Sequence, residues 1–479
     1  MTSAAASNAA AQQVRLLGLD FGSTTSSIML VEARLGGHSV SGRMGFAEPR
    51  VIYRSEPVFT PFDGDGLDET RLTELLDSWL HACDLDKQAP FAGAALVTGL
   101  AARQANVAAL TRLISQRIGD SLIATADDPG LESWLAFMGN CGLLSRAHPG
   151  QPILNLDIGG GTTNPAIGLD GNVLACGCHF IGARHWRFVP GSYQLLGCSE
   201  YGQALLTHLG ITCRAGASLT NDEVQRLVAW QVSALEALVS ADNGFFSSAI
   251  GRLHEQLPLH LPALATPPAI TFSGGVGELI YRHLEDASWP PTTAYGDLGI
   301  DLARAILASA LLAGGPRLLP ETRGRATVHG LTLHSCEVSG TSLYLPEPER
   351  LPLRDVPIVA RLPLDADYPS LLRALTLARY RPQGACLQLL GANAQLATLR
   401  NLAQRLREAL LHSELPSSQP LVLLLEANVG KTLGQYVSDW GRMAQCLLVI
   451  DEIAPRPAQF IHIGRAHQQM VPVSFFGLE

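Results

Sequence analysis

Residues 17–27, LGLDFGSTTSS, decide the fold of this chain of 479 residues. An apolar run typical of a buried strand ends at Asp20, small residues form a turn, and a second apolar run follows. Residues 155–164, NLDIGGGTTN, repeat this order, with Asp157 at the end of the first apolar run. This shared pattern indicates an internal duplication in which each copy stands at the beginning of one of two lobes.

The two turns have the composition of a phosphate site. Backbone N–H groups come close to phosphate oxygens only where side chains are small. A magnesium ion neutralises the phosphate charge and is usually held by carboxylates, often through its waters. Two such hairpins facing each other across a cleft supply the backbone N–H groups and the carboxylates, with Asp20 and Asp157 directed at the metal. The residues predicted to line the phosphates are Gly22, Ser23, Thr24, Gly159, Gly160, Gly161 and Thr162.

A third glycine turn, TFSGGVGE at 271–278, also follows a short apolar run. No carboxylate precedes its glycines, which favours contact with a base or ribose over contact with phosphate. One glycine-rich turn alone is weak support for a ligand site. Three turns in this order, two with aspartate at the same place, predict a nucleotide site.

Composition and charge exclude several classes of protein. Hydrophobic residues make up 47% of the chain, which excludes wholesale disorder. The net charge is −9 and no run of basic residues occurs, so no nucleic-acid partner is predicted. No apolar stretch reaches the ~18 residues of a membrane helix, so no membrane partner is predicted either.

Two other clusters suggest chemistry but have simpler explanations. Cys176, Cys178 and His179 could be drawn as metal ligands, but zinc sites use about four ligands and no second cluster follows. The nine cysteines are odd in number and lack a C-x-x-C pair, which favours a reducing cytoplasm. Gly430-Lys431-Thr432 resembles the end of a P-loop, but Leu425 stands where that motif needs glycine, so a helix start is favoured.

The three glycine turns resemble the phosphate-1, phosphate-2 and adenosine motifs of the actin, heat-shock-70 and sugar-kinase ATPase superfamily. The resemblance implies that Asp20 and Asp157 organise hydrated magnesium, and that Asp157 or a neighbour positions the attacking water. It also implies that Gly274, Gly275 and Gly277 approach the adenosine of ATP. Glu132 resembles the catalytic glutamate on the connecting helix of the chaperones, with an exposed helix carboxylate as the alternative.

The fold class that this resemblance implies is α/β, with duplicated ribonuclease-H-like lobes around a nucleotide cleft and an additional C-terminal α/β region. Proline-rich composition predicts a linker after the second lobe. The predicted divisions are a disordered tail at 1–13, lobes at 14–150 and 151–345, a linker at 346–363 and a C-terminal region at 364–479.

Segments outside the nucleotide motifs resemble a narrower family, the reactivating factors of ethanolamine ammonia-lyase. Among them are SEPVFTPF at 55–62, ALVTGLAARQANV at 95–107 and VIDEIAPRPAQFIHIG at 449–464. This resemblance implies an ATP- and Mg²⁺-dependent chaperone-like protein. Its partner would be ethanolamine ammonia-lyase with its cobalamin, from which it releases damaged or inactive cobalamin so that adenosylcobalamin can rebind.

Departures from the family pattern limit these expectations. Lys87 and Lys431 are the only lysines, and neither lies in a nucleotide motif, so slow hydrolysis is predicted rather than fast. Pro165 follows the phosphate-2 turn and favours an edge position for its strand.

Several alternatives stay open. A small-molecule kinase of the same superfamily or a filament-forming actin relative would share the nucleotide motifs. A homodimer is compatible with the sequence, and so is association with a bacterial microcompartment.

Overall fold

The computed structural model describes residues 12–478 except 38–43, 64–65, 86–89, 103, 119–121, 127, 287, 315–317, 321–324, 393 and 468. Residues 1–11 of the predicted tail and Lys87 lie outside the described residues. Gln12 and Gln13 belong to the first strand rather than to a tail. No helix in the described part of the chain is long and apolar enough to cross a membrane.

The first sheet is built by the N-terminal third of the chain. Its order is β3-β2-β1-β7-β8, with β1 to β3 antiparallel and β7 and β8 parallel to β1. This is the order expected of a ribonuclease-H-like lobe. The elements are β1 Gln12–Phe21, β2 Thr25–Gly37, β3 Met44–Arg54, β4 Val58–Phe59, β5 Phe62–Asp63, β6 Gly66–Leu67, α1 Glu69–Ala82, β7 Ala92–Val97, α2 Gly99–Ala102, α3 Val107–Ile118, β8 Leu122–Ala126 and α4 Pro129–Ala147.

The second sheet repeats the central part of the first. Its strands β11, β10 and β9 are antiparallel, and β16 runs parallel to β9 as β7 does to β1. The elements are β9 Ile153–Ile158, β10 Thr163–Leu169, β11 Asn172–Cys176, β12 Cys178–His179, β13 Trp186–Phe188, β14 Leu195–Cys198, α5 Glu200–His208, α6 Asn221–Ser240, α7 Asn243–Ser247, α8 Ala249–Leu253, β15 Glu255–Leu257, β16 Ala269–Ser273, α9 Gly274–Asp286, α10 Gly299–Ala308, α11 Ala310–Ala313 and α12 Ala326–His334. The duplication and the predicted fold class are confirmed.

Strand β10 corrects one expectation from the sequence. It lies between β9 on one side and β11 and β12 on the other, so the predicted edge position is wrong. Pro165 is accommodated because β11 ends and β12 begins beside it, and the Gly177 N–H donates to its carbonyl oxygen at 2.8 Å. The missing N–H of proline therefore falls where the outer ladder is interrupted.

Two helices cross at the centre of the molecule, between the first and second sheets. A Cβ added to Gly139 of α4 would lie 2.1 Å from the Ala326 carbonyl oxygen of α12. A Cβ added to Gly330 of α12 would lie 2.0 Å from the Leu135 carbonyl oxygen of α4. Glycine at both positions thus lets the two backbones touch.

The third sheet is C-terminal and has seven strands in the order β17-β23-β22-β18-β19-β20-β21. The four strands β18 to β21 are parallel, and helices connect each to the next. The elements are β17 Cys336–Val338, β18 Leu353–Pro363, α13 Tyr368–Ala378, β19 Ala385–Leu390, α14 Leu396–His412, β20 Leu421–Leu425, α15 Gly430–Val437, β21 Leu447–Ile450, β22 Ala458–Ile463 and β23 Pro472–Leu478. The additional α/β region is confirmed.

The predicted linker does not run free of the sheets. Most of 346–363 is strand β18, which pairs with β19 and β22 in the middle of the third sheet. Pro352 and Pro363 lie before and at the end of the strand, and the antiparallel ladder shifts register between Leu353 and Val356. Pro357 lies inside the strand, directly after that shift, and pairs with Phe460. Prolines at a strand end or beside an irregularity of the ladder do not break the strand, although their number resembles that of a linker. The predicted domain boundaries remain predictions.

Candidate nucleotide site

A cavity of about 410 Å³ lies between the first and second sheets, where the three glycine turns meet. Of the residues predicted from the sequence, those on its wall are Asp20, Gly22, Ser23, Thr24, Glu132, Asp157, Gly159, Gly160, Thr162, Gly274 and Gly275. Gly161 and Gly277 are not on the wall. The structure therefore brings together nearly all of the predicted site.

The two hairpins have the same backbone geometry. In the first, the Gly22 N–H donates to the Thr25 carbonyl oxygen at 3.0 Å. In the second, the Gly159 N–H donates to the Thr162 carbonyl oxygen at 2.9 Å. Each aspartate lies two residues before the glycine, near the end of its strand, so the two carboxylates occupy equivalent positions.

The tips of the hairpins touch each other across the cavity. A Cβ added to Gly160 would lie 1.9 Å from Thr24 Oγ1, so only glycine fits at this position. Thr24 Oγ1 is itself shielded from solvent and has no hydrogen-bond partner in the structure. This close approach holds the two carboxylate-bearing turns against one enclosed space.

Three of the carboxylates on the cavity wall, Asp20, Glu132 and Asp157, interact electrostatically with one another. Burial and, to a smaller extent, the neighbouring Asp157 together raise the pKa of Asp20 to about 7. Burial also raises the pKa of Glu132 well above its usual value, with Asp157 and Asp20 adding to the rise. Glu132 is only 8% exposed, so the alternative of an exposed helix carboxylate is wrong. A cluster of this kind favours a cation among its oxygens.

Asp157 is oriented by a chain of buried polar groups. Ser273 Oγ donates to Asp157 Oδ1 at 2.5 Å, and Asn155 Nδ2 donates to Ser273 Oγ at 2.9 Å. Asn155 Oδ1 in turn accepts from Asn140 Nδ2 at 2.8 Å. Burial raises the pKa of Asp157, and the hydrogen bond from Ser273 opposes this rise. Ser273 also precedes the third glycine turn, so it connects that turn to the carboxylate.

The sequence argument missed several wall residues. Asn164, Thr98 and Thr327 all line the cavity. Asn164 lies opposite Asp157 in the antiparallel register, and its Oδ1 is shielded and lacks a hydrogen-bond partner. The position of Asn164 was predictable, because a four-residue turn between two paired strands sets the register that places it opposite Asp157. Thr327 could not have been found in this way because it lies in the first turn of α12, far along the chain.

The third glycine turn forms the other end of the cavity. Gly274 has a φ of +72°, and a Cβ there would lie 2.5 Å from the Ile158 carbonyl oxygen. Gly277 instead packs on Phe272, where a Cβ would lie 2.9 Å from the carbonyl carbon. Gly277 therefore packs beside the turn rather than on the cavity wall, and its predicted approach to adenosine stays a prediction. Arg282 and Tyr295 complete this end of the wall.

Residues from both halves meet beside the cavity. The Arg184 guanidinium lies 5.5 Å from the ring centroid of Phe59, which belongs to β4 of the first sheet. Arg184 also donates through Nη1 to the Tyr295 carbonyl oxygen at 3.1 Å and lies 3.7 Å from Asp297. This contact joins the two sides, and no motif of the sequence predicts it.

The donor set fits a hydrated magnesium ion bound together with a nucleotide. Among the described residues, no group of three or more His, Cys, Asp and Glu side chains could hold a metal ion by itself. Asp20 Oδ1 is nevertheless shielded and has no hydrogen-bond partner. Two aspartates that leave most of the coordination to water and phosphate oxygens match the preference of Mg²⁺.

The other two sequence clusters lie away from the cavity. Cys178 and His179 are buried, and His179 packs on Phe246. Gly430 begins helix α15, as the sequence predicts, and its N–H donates to Asp451 Oδ2 at 2.8 Å. The N-terminus of that helix is already hydrogen-bonded to a carboxylate of the protein, and this does not favour the binding of a phosphate there.

Comparison with known proteins gives a match along nearly the whole described chain. The family described as "Ethanolamine utilisation protein EutA" matches residues 12–478. A protein of Salmonella typhimurium strain LT2 named "Ethanolamine ammonia-lyase reactivase EutA" is 30% identical over 476 residues, with 95% of each chain covered. A protein of the same name from Escherichia coli K12 is 28% identical over 467 residues, again with 95% of each covered.

The solved structures that the comparison finds are more distant. A Ppx/GppA family member from Aquifex aeolicus is 16% identical, with a TM-score of 0.32, and the match covers 58% of this chain and 72% of that one. The ethanolamine utilization protein EutJ from Carboxydothermus hydrogenoformans is 13% identical, with a TM-score of 0.26, and the match covers 67% of this chain and 89% of that one.

Proposed function

Because the chain belongs to the EutA family of ethanolamine utilisation proteins, we propose that it is a reactivating factor of ethanolamine ammonia-lyase. The observation that carries the proposal is the match to that family over residues 12–478. Both curated relatives carry the reactivase name and are covered over 95% of their length. The small-molecule kinase is not favoured by these relatives.

The cleft is proposed to bind Mg-ATP. Support comes from the two equivalent aspartate hairpins, the shielded Oδ1 of Asp20 and the close contact between Gly160 and Thr24. Asp20 and Asp157 would hold the magnesium through its waters, and the glycine turns would present backbone N–H groups to the phosphates. Bound Mg-ATP supplies the phosphoanhydride bond whose hydrolysis changes the state of the cleft.

The side chains of the chain itself have separable roles in this proposal. Asp157 is held in one orientation by Ser273, and Asn164 faces it from the neighbouring strand. Glu132 is placed to accept a proton or to orient a water in the same space, since it lines the cavity from the first turn of α4.

Reactivation follows from linkage between the cleft and the partner enzyme. A lyase that has lost its adenosyl group keeps an inactive cobalamin in a closed site. A factor that binds the open lyase more tightly shifts the lyase toward the open state and lets the cobalamin leave. Nucleotide can control this only if the ATP and ADP states differ in affinity for the lyase.

The test is recovery of deamination. Purified protein, Mg-ATP and free adenosylcobalamin are mixed with ethanolamine ammonia-lyase whose site is blocked by cyanocobalamin. We expect deamination to return with ATP and to stay absent without it. The variant Asp157→Asn should lose the effect, whereas Asp355→Asn, a matched change at an exposed residue, should keep it. No recovery above the ATP-free control would remove the proposal.

A cytoplasmic location is proposed together with this function. All nine cysteines lie within the described residues, and each is a free thiol, which is the usual state in a reducing compartment. Association with a bacterial microcompartment is proposed from the ethanolamine utilisation context of the family.

A further inference from the structure

Strand β23, the last strand of the described residues, lies on helix α4, which carries Glu132. In the last strand, β23, the Gly477 N–H donates to Asp128 Oδ2 at 2.6 Å. The other oxygen of the same carboxylate, Oδ1, accepts from the Leu131 N–H at 3.0 Å and so caps helix α4. One buried carboxylate therefore bonds the C-terminal sheet and the first turn of α4 at once.

The strand and the helix touch at the level of the backbone. A Cβ added to Gly130 would lie 2.2 Å from the Leu478 carbonyl oxygen. Since a backbone atom cannot move aside as the end of a flexible side chain can, any other residue at 130 would push β23 away. Glycine in the first turn of a helix is otherwise unfavourable, because it lowers helix propensity.

Apolar and charged contacts widen this junction. Leu131 and Leu135 of α4 belong to one buried cluster, against which Phe476 and Leu478 of β23 pack. On the next part of the junction, the Arg456 guanidinium lies 4.3 Å from the ring centroid of Trp134. Arg456 also pairs with Glu337 at 2.5 Å, so α4 is held by two segments of the C-terminal region.

Glu132 lies in the middle of the clamped turn. Its N–H donates to the Asp128 carbonyl oxygen at 3.0 Å, and its side chain lines the nucleotide cavity. We propose that Asp128 is a positioning residue, which clamps β23 to α4 and so sets the position of Glu132 through the C-terminal sheet. This inference rests on the proposed function in treating the cavity as the nucleotide site, but the clamp itself does not need a nucleotide.

The clamp is tested with two variants and a matched control. Asp128→Ser keeps a good helix cap but cannot reach Leu131 and Gly477 together. Gly130→Ala pushes on β23. The control is Gly142→Ala, on the same helix, where the new Cβ would meet only the flexible Met138 side chain at 3.3 Å. All three are made in the full-length chain.

Amide hydrogen exchange of the nucleotide-free protein measures the clamp. We expect peptides covering 472–478 and 128–135 to exchange roughly tenfold faster or more in both variants, because a hydrogen bond to a charged group is lost. The control should match the wild type in both segments. Wild-type exchange in both variants would overturn the proposal, and so would acceleration confined to the strand.

Steady-state ATP hydrolysis measures the positioning. Both variants should lose roughly tenfold in kcat with KM changed by no more than about twofold, while the control behaves as the wild type. Faster exchange with unchanged kcat would show that the clamp does not position Glu132 and would overturn that role. A wild-type chain that neither hydrolyses ATP nor reactivates the lyase would instead defeat the proposed function, and the exchange data would still decide the clamp.

Discussion

At the scale of single residues, we expect the buried carboxylates of the site to lower the free energy of unfolding of the nucleotide-free protein. Burial and the neighbouring Asp157 raise the pKa of Asp20 from 3.8 to about 7, so the native state binds this proton more tightly than the unfolded chain does. The free energy of unfolding therefore falls as pH rises between these two values and stays low above the upper one. We expect Asp20→Asn to raise the free energy of unfolding of the nucleotide-free protein by on the order of 2–4 kcal/mol at about pH 8.

The same comparison near pH 4 supplies the control, because Asp20 is then protonated in the native state and about half protonated in the unfolded chain, so most of the gain should vanish. Denaturant unfolding at the two pH values measures it. A variant less stable than the wild type at the higher pH would contradict the assignment of Asp20 as a strained carboxylate.

The sequence could predict many of these residues but not all of their partners. Asp20 and Asp157 were found because each ends a strand in a repeated local pattern, and local patterns are visible without a structure. Ser273 and Thr327 depend on pairing between distant segments, which no local pattern records. Gly277 shows a further limit, since its motif predicts a ligand contact whereas in the structure it packs on Phe272 and is not on the cavity wall, so its contact with adenosine stays a prediction.

At the scale of elements, the crossing of α4 and α12 determines how the two halves meet. A methyl group at Gly330 would lie 2.0 Å from the Leu135 carbonyl oxygen, so the helices would have to separate. We expect Gly330→Ala to lower the free energy of unfolding by about 1–3 kcal/mol, the usual cost of overpacking. Denaturant unfolding measures this loss, with Gly142→Ala as the matched change at a tolerant position of α4.

A Gly330→Ala protein as stable as the Gly142→Ala protein would mean that the helices are not held as closely as described.

Elements also show why some sequence predictions fail. Strand β20 and helix α13 were predictable from their apolar patterns, whereas strand β18 resembles a linker because its prolines mask the pattern. Only the strands on both sides of β18 reveal that it is the centre of a sheet.

At the scale of the whole molecule, the first and second sheets enclose the cleft, and the third sheet contacts helix α4. The first two sheets supply equivalent hairpins, and the third reaches α4 through β23. The duplication was visible in the sequence because both copies keep the aspartate and its turn. The docking of the last strand onto α4 was not, because it joins residues at 128 and 477 through a single carboxylate.

The central claim is that both hairpins hold one magnesium–nucleotide complex between the two halves. Calorimetric titration of the full-length protein with ATP in the presence of Mg²⁺ tests it most directly, with Asp20→Asn, Asp157→Asn and the exposed control Asp355→Asn titrated in parallel. We predict one site per chain in the wild type and the control, and strongly weakened binding in each hairpin variant. Binding at wild-type strength in either hairpin variant, or no heat of binding in the wild type, would contradict the account.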